Sequence, residues 1–249
     1  MKIDVLDHGY VRFIEGWGFG EIGIPEAGII EAARQSTQGS FRGWDQDEKL
    51  LKHLTNNKHV TPSEFAGMVI EVQAPIFVFR EWRTHRTCSQ VADEYDFDDC
   101  FPGDSSYNEM SARYAPLPDL NYIPSIDRLM MVSKTNKQAG AISGAEELTK
   151  TQAGNFQCNL AMMYVKQQKM YEDALEAGVP KELARCCLPV GRYSRMRACA
   201  NLRNWLAFLT LRMDPAAQFE IREFANAVGK IVEEKFPKNW KLFQEGRTK

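Results

Sequence analysis

The stretch Ser106-Tyr-Asn-Glu-Met-Ser-Ala-Arg-Tyr114 decides how the whole chain is read. It sets a carboxylate, a hydroxyl and a guanidinium at alternate positions, Glu109, Ser111 and Arg113. In extended backbone alternate side chains project to one side, so the spacing predicts that all three face one ligand. A forked guanidinium suits a phosphate, a serine hydroxyl and nearby amides add donors, and a carboxylate accepts from sugar hydroxyls. Together these are the groups of a nucleoside monophosphate pocket. The alternative is a polar surface turn holding a single ion pair.

Working outward, Phe79-Arg-Glu-Trp-Arg-Thr-His-Arg86 gathers Arg80, Arg83, His85 and Arg86 within two helical turns. Downstream, Leu183-Ala-Arg-Cys-Cys-Leu-Pro189 precedes Asn201-Leu-Arg-Asn-Trp-Leu-Ala-Phe-Leu-Thr-Leu-Arg212, and Gln218-Phe-Glu-Ile-Arg222 follows. In this order the segments resemble the flavin-dependent thymidylate synthases, whose signature is an Arg-His-Arg followed, after a spacer, by Ser-x-Arg-Tyr. The opening Met1-Lys-Ile-Asp-Val-Leu-Asp-His-Gly-Tyr10 is similar to that family's first strand, and Thr61-Pro-Ser-Glu64 and Ala74-Pro-Ile-Phe77 match in turn. The resemblance runs from residue 1 to about residue 236.

Composition is compatible with this but does not reveal it. A chain of 249 residues is long enough for a full core, and we expect one domain over residues 1–249. With 44% hydrophobic and 26% charged residues it reads as soluble and globular. A net charge of −2 argues against a general nucleic-acid binder. The arginines gather instead around 80–86 and 185–212, as a discrete anion pocket requires. No apolar run approaches the roughly 18 residues needed to span a bilayer, and the start lacks a signal-peptide pattern. The six cysteines form no CxxC pair and no metal-ligand spacing, so reduced thiols in the cytoplasm and no metal are expected. Cys186 and Cys187 stand in an apolar stretch that predicts burial.

The pattern along the chain predicts an α+β fold, a small antiparallel or mixed sheet with helices packed against it. Strands are expected at 2–7, 10–15 and 64–73, and helices at 25–34 and from an Asp45 N-cap to 56. Pro75 should start a helix carrying the arginine–histidine stretch. A long helix at 147–177, ended by Gly178 and Pro180, is followed by helices at 180–187, 196–211 and 215–235, the last with Pro215 in its first turn.

The resemblance implies conversion of dUMP to dTMP with 5,10-methylenetetrahydrofolate as carbon donor and reduced FAD as hydride donor, without a cysteine nucleophile. It implies NADPH as the reductant and a homotetramer whose pockets are shared, Arg185 and Arg212 coming from a neighbouring chain. It assigns dUMP to Glu81, Arg83 and Thr84, to Glu109, Met110, Ser111, Ala112 and Arg113, and to Arg185 and Arg212, with Ser111 and Arg113 on the phosphate. FAD falls to His59, Thr61, Thr84, His85, Arg86, Glu109, Asn201, Leu202 and Arg203. Tyr114 and Gln218 would support these groups. Arg212 is the residue implied at the N3/O2 edge of the pyrimidine. It stays protonated, so its role there is to stabilise negative charge and enrich electron density at C5.

The chain departs from the family pattern at several positions. Thr84 replaces the first arginine of Arg-His-Arg, Glu81 a glutamine, Ala216 a histidine and Ala207 an asparagine. Residues 89–105 form an acidic insertion, expected to project outward as a solvated loop, a subunit contact or a lid, because inward carboxylates would repel a polyanion. These departures leave open a catalytically silent nucleotide- or flavin-binding protein. Two other rivals are an RNA-binding module built on 79–86, disfavoured by a pI of about 6.1, and a cysteine-dependent synthase, for which Cys187 is the candidate thiol.

Overall fold

The computed structural model describes residues 1–21, 23–37, 39–85, 106–134, 136–143 and 145–247. The acidic insertion, Arg86, Cys88 and Cys100 lie outside these, so the expectations that fall on them stand as they are.

Five strands form one antiparallel sheet: β1 (Lys2–Val5), β2 (Gly9–Trp17), β3 (Gly67–Pro75), β4 (Ser106–Glu109) and β5 (Tyr193–Asn201), in spatial order β1-β2-β3-β5-β4. β3 is the central strand because it alternates cleanly: Met68, Ile70, Val72 and Ala74 are buried, while Val69, Glu71 and Gln73 lie on the other face, half-buried. It pairs along its whole length with β5, from Gly67 opposite Asn201 to Pro75 opposite Tyr193. The outer face is polar, with Glu71 accepting from Tyr10 Oη at 2.8 Å and Arg12 Nη2 at 2.9 Å.

The buried face is covered by α3 (Ile76–Trp82), α7 (Leu202–Arg212) and α8 (Phe219–Lys235). From α8, Ile221, Phe224, Ala225, Val228, Ile231 and Val232 face the sheet at helical spacing, all fully buried. α1 (Ala27–Arg34) and α2 (Trp44–Asn56) close one flank. There the buried Asp47 accepts from the Arg34 guanidinium and from Arg42 N–H at 2.6 Å. α9 (Pro237–Arg247) is held by a buried carboxylate: Glu26 accepts from Asn239 N–H at 2.6 Å and Lys238 N–H at 2.9 Å. Burial pushes the Glu26 carboxyl up, against those bonds. In the chain between β4 and β5 come short α4 (Ile126–Leu129), the 27-residue α5 (Lys150–Glu176) and one-turn α6 (Lys181–Ala184). α5 starts with a complete capping box between Thr149 and Gln152.

The α+β class is as expected, and so is the run of elements, with five corrections. Residues 196–201 are not helix but the end of β5; the β-prone alternation of Tyr193–Asn201 wins, and α7 starts only after it. Asp45 is inside α2, whose N-cap is Gly43 at φ 99. α3 ends at Trp82, so Arg83, Thr84 and His85 follow the helix rather than ride on it. Pro215 lies in the turn before α8, which begins at Phe219. α6 stops at Ala184, and Arg185 opens a 3₁₀ turn. α9 lies beyond the last helix expected from the sequence, which ended at 235.

Gly67 opens β3 where no side chain fits. A Cβ there would stand 2.2 Å from the Trp17 ring and 2.5 Å from the Ala200 carbonyl. Backbone cannot yield as a side-chain tip can, so Gly67→Ala should lower stability by about 1–3 kcal/mol or more. Chemical denaturation with an unchanged m-value is the check.

Candidate functional site

A cleft of about 290 Å³ opens where β4 ends, lined by Ile76, Arg83, Glu109, Met110, Ser111, Ala112, Leu117, Arg185 and Leu188. It is at the lower limit of small-ligand pockets. β4 pairs with β5 only as far as Glu109 opposite Met196, and Met110 N–H then donates to the Arg195 carbonyl at 2.8 Å. At Ala112 the backbone takes φ 57, a left-handed conformation uncommon for a residue with a Cβ. The alternation read from the sequence therefore holds to Glu109 and breaks after it. Ser111 and Arg113 are placed by a turn, not by strand geometry, and Arg113 N–H points back to Ser111 Oγ at 3.4 Å. Such strain recurs at binding sites, where the surrounding contacts hold it.

Glu109, Ser111 and Arg185 do converge. The Arg185 guanidinium donates to the Ser111 carbonyl, and its Nε donates to the Glu182 carbonyl at 3.3 Å. Glu109 accepts from Arg83, which is exposed. Burial nevertheless raises the Glu109 carboxyl overall, with Arg83 and the Ser194 hydroxyl pulling the other way. Arg113 is exposed outside the cleft wall, its guanidinium 6.0 Å from the centre of the Tyr114 ring, and that ring is 85% exposed. Gln218 is exposed at the N-cap of α8.

A second cluster adjoins the first across the end of α3. Arg212, the last residue of α7, donates through Nη1 to Glu81 Oε2 at 3.2 Å and through Nη2 to the Glu81 carbonyl at 3.0 Å and Thr84 Oγ1 at 2.8 Å. Its Nε donates to Nε2 of the buried His85. Burial first, and then the Arg212 charge, holds His85 down to about 4, so the ring is neutral near pH 7. Phe208 lies edge-on to that ring at 5.1 Å and stacks on Trp82 at 4.5 Å. Within the chain, Arg185 reaches the Ser-Ala-Arg turn and Arg212 reaches the arginine stretch.

The residues that the resemblance gives to FAD fall in two groups. Thr61, Asn201, Leu202 and Arg203 meet at the N-terminus of α7, where Leu202 N–H donates to the Ala66 carbonyl at 2.7 Å and Arg203 pairs with Glu64. Asn201 caps this 11-residue helix by accepting from Asn204 N–H at 2.9 Å. His85 and Thr84 lie at the other end, about 15 Å away at 1.5 Å per residue. A helix N-terminus with an exposed arginine and threonine is a donor set that fits a pyrophosphate, and an elongated dinucleotide suits two groups so spaced. His59 is exposed with its ring 6.1 Å from that of His53, apart from these contacts.

Several readings change. The arginines of 185–212 do not all serve one pocket: Arg192 is buried between Asp119 and Gln168, and Arg195 and Arg197 point from the outer face of β5. Cys186 is exposed rather than buried, and Cys187 is half-buried with its Sγ 3.2 Å from the Ala184 carbonyl. Sequence reasoning missed Leu117, Leu188, Ser194 and Phe208, since isolated apolar or hydroxyl residues carry no spacing signal. Among the described residues no His/Cys/Asp/Glu group can hold a metal, and no helix is long and apolar enough to cross a membrane.

The protein is thus an α+β fold on an antiparallel sheet, with a cleft that carries Arg83, Glu109 and Arg185 and, beyond the end of α3, a buried histidine bonded to Arg212. The family model described as thymidylate synthase complementing protein matches residues 23–238, and the chain belongs to that family. It is 34% identical to a flavin-dependent thymidylate synthase of Thermus thermophilus over 98% of this chain and 79% of the relative. It is 31% identical to the enzyme of that name from Thermotoga neapolitana, over 98% of this chain and 94% of the relative. The fold is shared with a UMP/dUMP methylase, PolB, from Streptomyces cacaoi bound with 5-Br dUMP, at TM-score 0.74 and 24% identity over 98% of this chain and 97% of that one.

Proposed function

We propose that the chain is a flavin-dependent thymidylate synthase that methylates dUMP to dTMP without a cysteine nucleophile. The observation that carries this reading is the union of a cleft holding Arg83, Glu109, Ser111 and Arg185 with a guanidinium, Arg212, bonded to Glu81 and Thr84 on either side of Arg83 in the chain. The phosphate belongs with Ser111, Arg113 and Arg185, and the sugar with Glu109, whose raised carboxyl suits exchange of hydrogen bonds with a hydroxyl. Met110 and Ala112 supply backbone at the cleft wall. Arg212, always protonated, holds negative charge on the pyrimidine and leaves C5 electron-rich. Arg83, Glu81 and Thr84 set its neighbourhood.

FAD would be held by Thr61, Asn201, Leu202 and Arg203 on its pyrophosphate side and by Thr84 and His85 toward the ring, with His59, Arg86 and Glu109 the further residues that the resemblance gives to it. When bound in its reduced form it supplies the hydride that brings the methylene carried by 5,10-methylenetetrahydrofolate to the methyl level. NADPH is the proposed reductant and the cytoplasm the proposed location. Self-association as a homotetramer is supported by α5, which exposes Phe156, Met162, Met163, Val165 and Met170 and buries only Ala153 and Tyr171.

The test is the visible spectrum of the FAD-loaded protein titrated with dUMP. A flavin band perturbed in a saturable, dUMP-dependent way is expected. A protein that binds dUMP yet cannot be loaded with FAD would overturn the reading in favour of a silent nucleotide binder. In the same assay Arg185→Ala should weaken dUMP binding about 10- to 100-fold, the loss of a charge-assisted contact, while FAD loading is unchanged.

A further inference from the structure

We propose that His85 is the positioning residue for Arg212: its Nε2 accepts the Arg212 Nε–H, which fixes the plane of the guanidinium and locks the imidazole as its Nδ1–H tautomer. This inference rests on the role proposed above for Arg212.

The geometry carries it. An arginine has five N–H groups in one plane. Among the described residues Arg212 commits Nε to His85, one Nη1 proton to Glu81 Oε2, and both Nη2 protons to the Glu81 carbonyl and Thr84 Oγ1. That leaves one Nη1 proton for a ligand. Two of the four contacts are to side chains open to water, since Thr84 is exposed and the Glu81 side chain is 45% exposed, and a third is to the Glu81 carbonyl at the end of α3. Among the side-chain partners only His85 is buried. The residue is 7% exposed, its ring packed edge-on to Phe208, which in turn stacks on the fully buried Trp82. The imidazole is therefore the rigid abutment against which a long, flexible side chain is aligned. A guanidinium meeting the edge of a flat ring needs its plane set beforehand, and misplacement by an ångström costs rate steeply.

The link requires a neutral imidazole. An imidazolium would present N–H to N–H and push Arg212 away. Among the described residues the charged groups near the ring are Arg212 on α7 and, behind that guanidinium, Glu81 on α3. Phe208 and Trp82 are uncharged. Burial and the Arg212 charge keep the ring unprotonated to about pH 4, so the link holds at neutral pH and opens on acidification. The sign for stability is the same. The folded protein disfavours the proton, so this contribution is complete above the ordinary value of 6.5 and is lost as pH falls toward about 4. The lock also decides what His85 offers elsewhere: with Nε2 taken, only Nδ1–H remains as a donor.

The test is imidazole ¹⁵N NMR on the FAD-loaded protein, the His85 signals being assigned among the four histidines by their absence in His85→Phe. The expected result is an Nδ1–H tautomer with an accepting Nε2 that stays unprotonated below pH 5. In Arg212→Ala the titration should move up toward 6.5. An Nε2–H tautomer, or a titration indifferent to Arg212→Ala, would overturn the link. In turnover, His85→Phe should lower kcat about 10- to 100-fold at equal FAD content, with the dUMP dissociation constant unchanged. His85→Gln keeps an acceptor at the Nε2 position and should recover most of that loss; equal loss in the two variants would overturn positioning. Full turnover in Arg212→Ala would instead overturn the reading of Arg212, an outcome separate from the NMR result. If His85→Phe fails to fold, the tautomer and its response to Arg212→Ala still decide the link, with His85→Gln used for assignment.

Discussion

Arg212→Ala is expected to cut dTMP formation about 10²- to 10³-fold, the usual loss when a preorganised donor at developing charge is removed. The dUMP dissociation constant should change little, because the phosphate and sugar contacts lie in the cleft around Glu109, Ser111 and Arg185. The split between kcat and binding is what separates charge stabilisation in the reaction from simple attraction of a dianion. Arg212→Lys is not a conservative control here. Lysine keeps the charge but cannot occupy His85, Glu81 and Thr84 in one plane, so most of the loss should remain. Stability should move little in either variant. Glu81 and Thr84 are already in contact with water, and His85 becomes easier, not harder, to protonate once the guanidinium is gone.

Trp82→Ala should be the most damaging single change to the fold, at about 3–5 kcal/mol. The indole is 0% exposed, stacked on Phe208 at 4.5 Å and edge-on to Trp205 at 6.5 Å. Its Nε1 is buried without a hydrogen-bond partner among the described residues, so among them the variant gives up packing and no polar contact. For a chain of this size the thermal midpoint should fall on the order of 10 °C. Trp82→Phe, which refills part of the space, should recover a large share. Scanning calorimetry of the two variants side by side checks this. A Trp82→Ala protein of undiminished stability would mean that the α3–α7 contact is not the core of the site's support.

How much of this was legible in the sequence differs from element to element. The long α5, bounded by its capping box and by Gly178, and the strands alternating at Gly67–Pro75 announce themselves through periodicity. Tyr193–Asn201 does not, because the strand runs straight into an amphipathic helix and its apolar residues fit either period. The junction is set by the pairing of β5 with β3 and by the Asn201 cap, both invisible to local pattern. At the site, the spacing of Glu109, Ser111 and Arg113 pointed to the segment that borders the cleft, but strand alternation is not what places Ser111 and Arg113. Ala112 turns left-handed, and no rule of spacing anticipates a strained alanine. Arg212 came only from the resemblance. That it pairs with His85 depends on where α3 stops and α7 ends, a tertiary fact with no sequence signal. The α+β class survived these errors because it needs only the kinds of element present, not their boundaries.

The central claim is tested most directly by a single turnover. The FAD-loaded protein, reduced and kept free of oxygen, is mixed with dUMP and 5,10-methylenetetrahydrofolate, and nucleotide and flavin are followed together. The account predicts dTMP in amount equal to the flavin reoxidised, with a protein in which Cys187 is replaced by serine reacting equally well. Flavin that stays reduced while both ligands are bound, or dTMP formation that disappears with the Cys187 thiol, would contradict it.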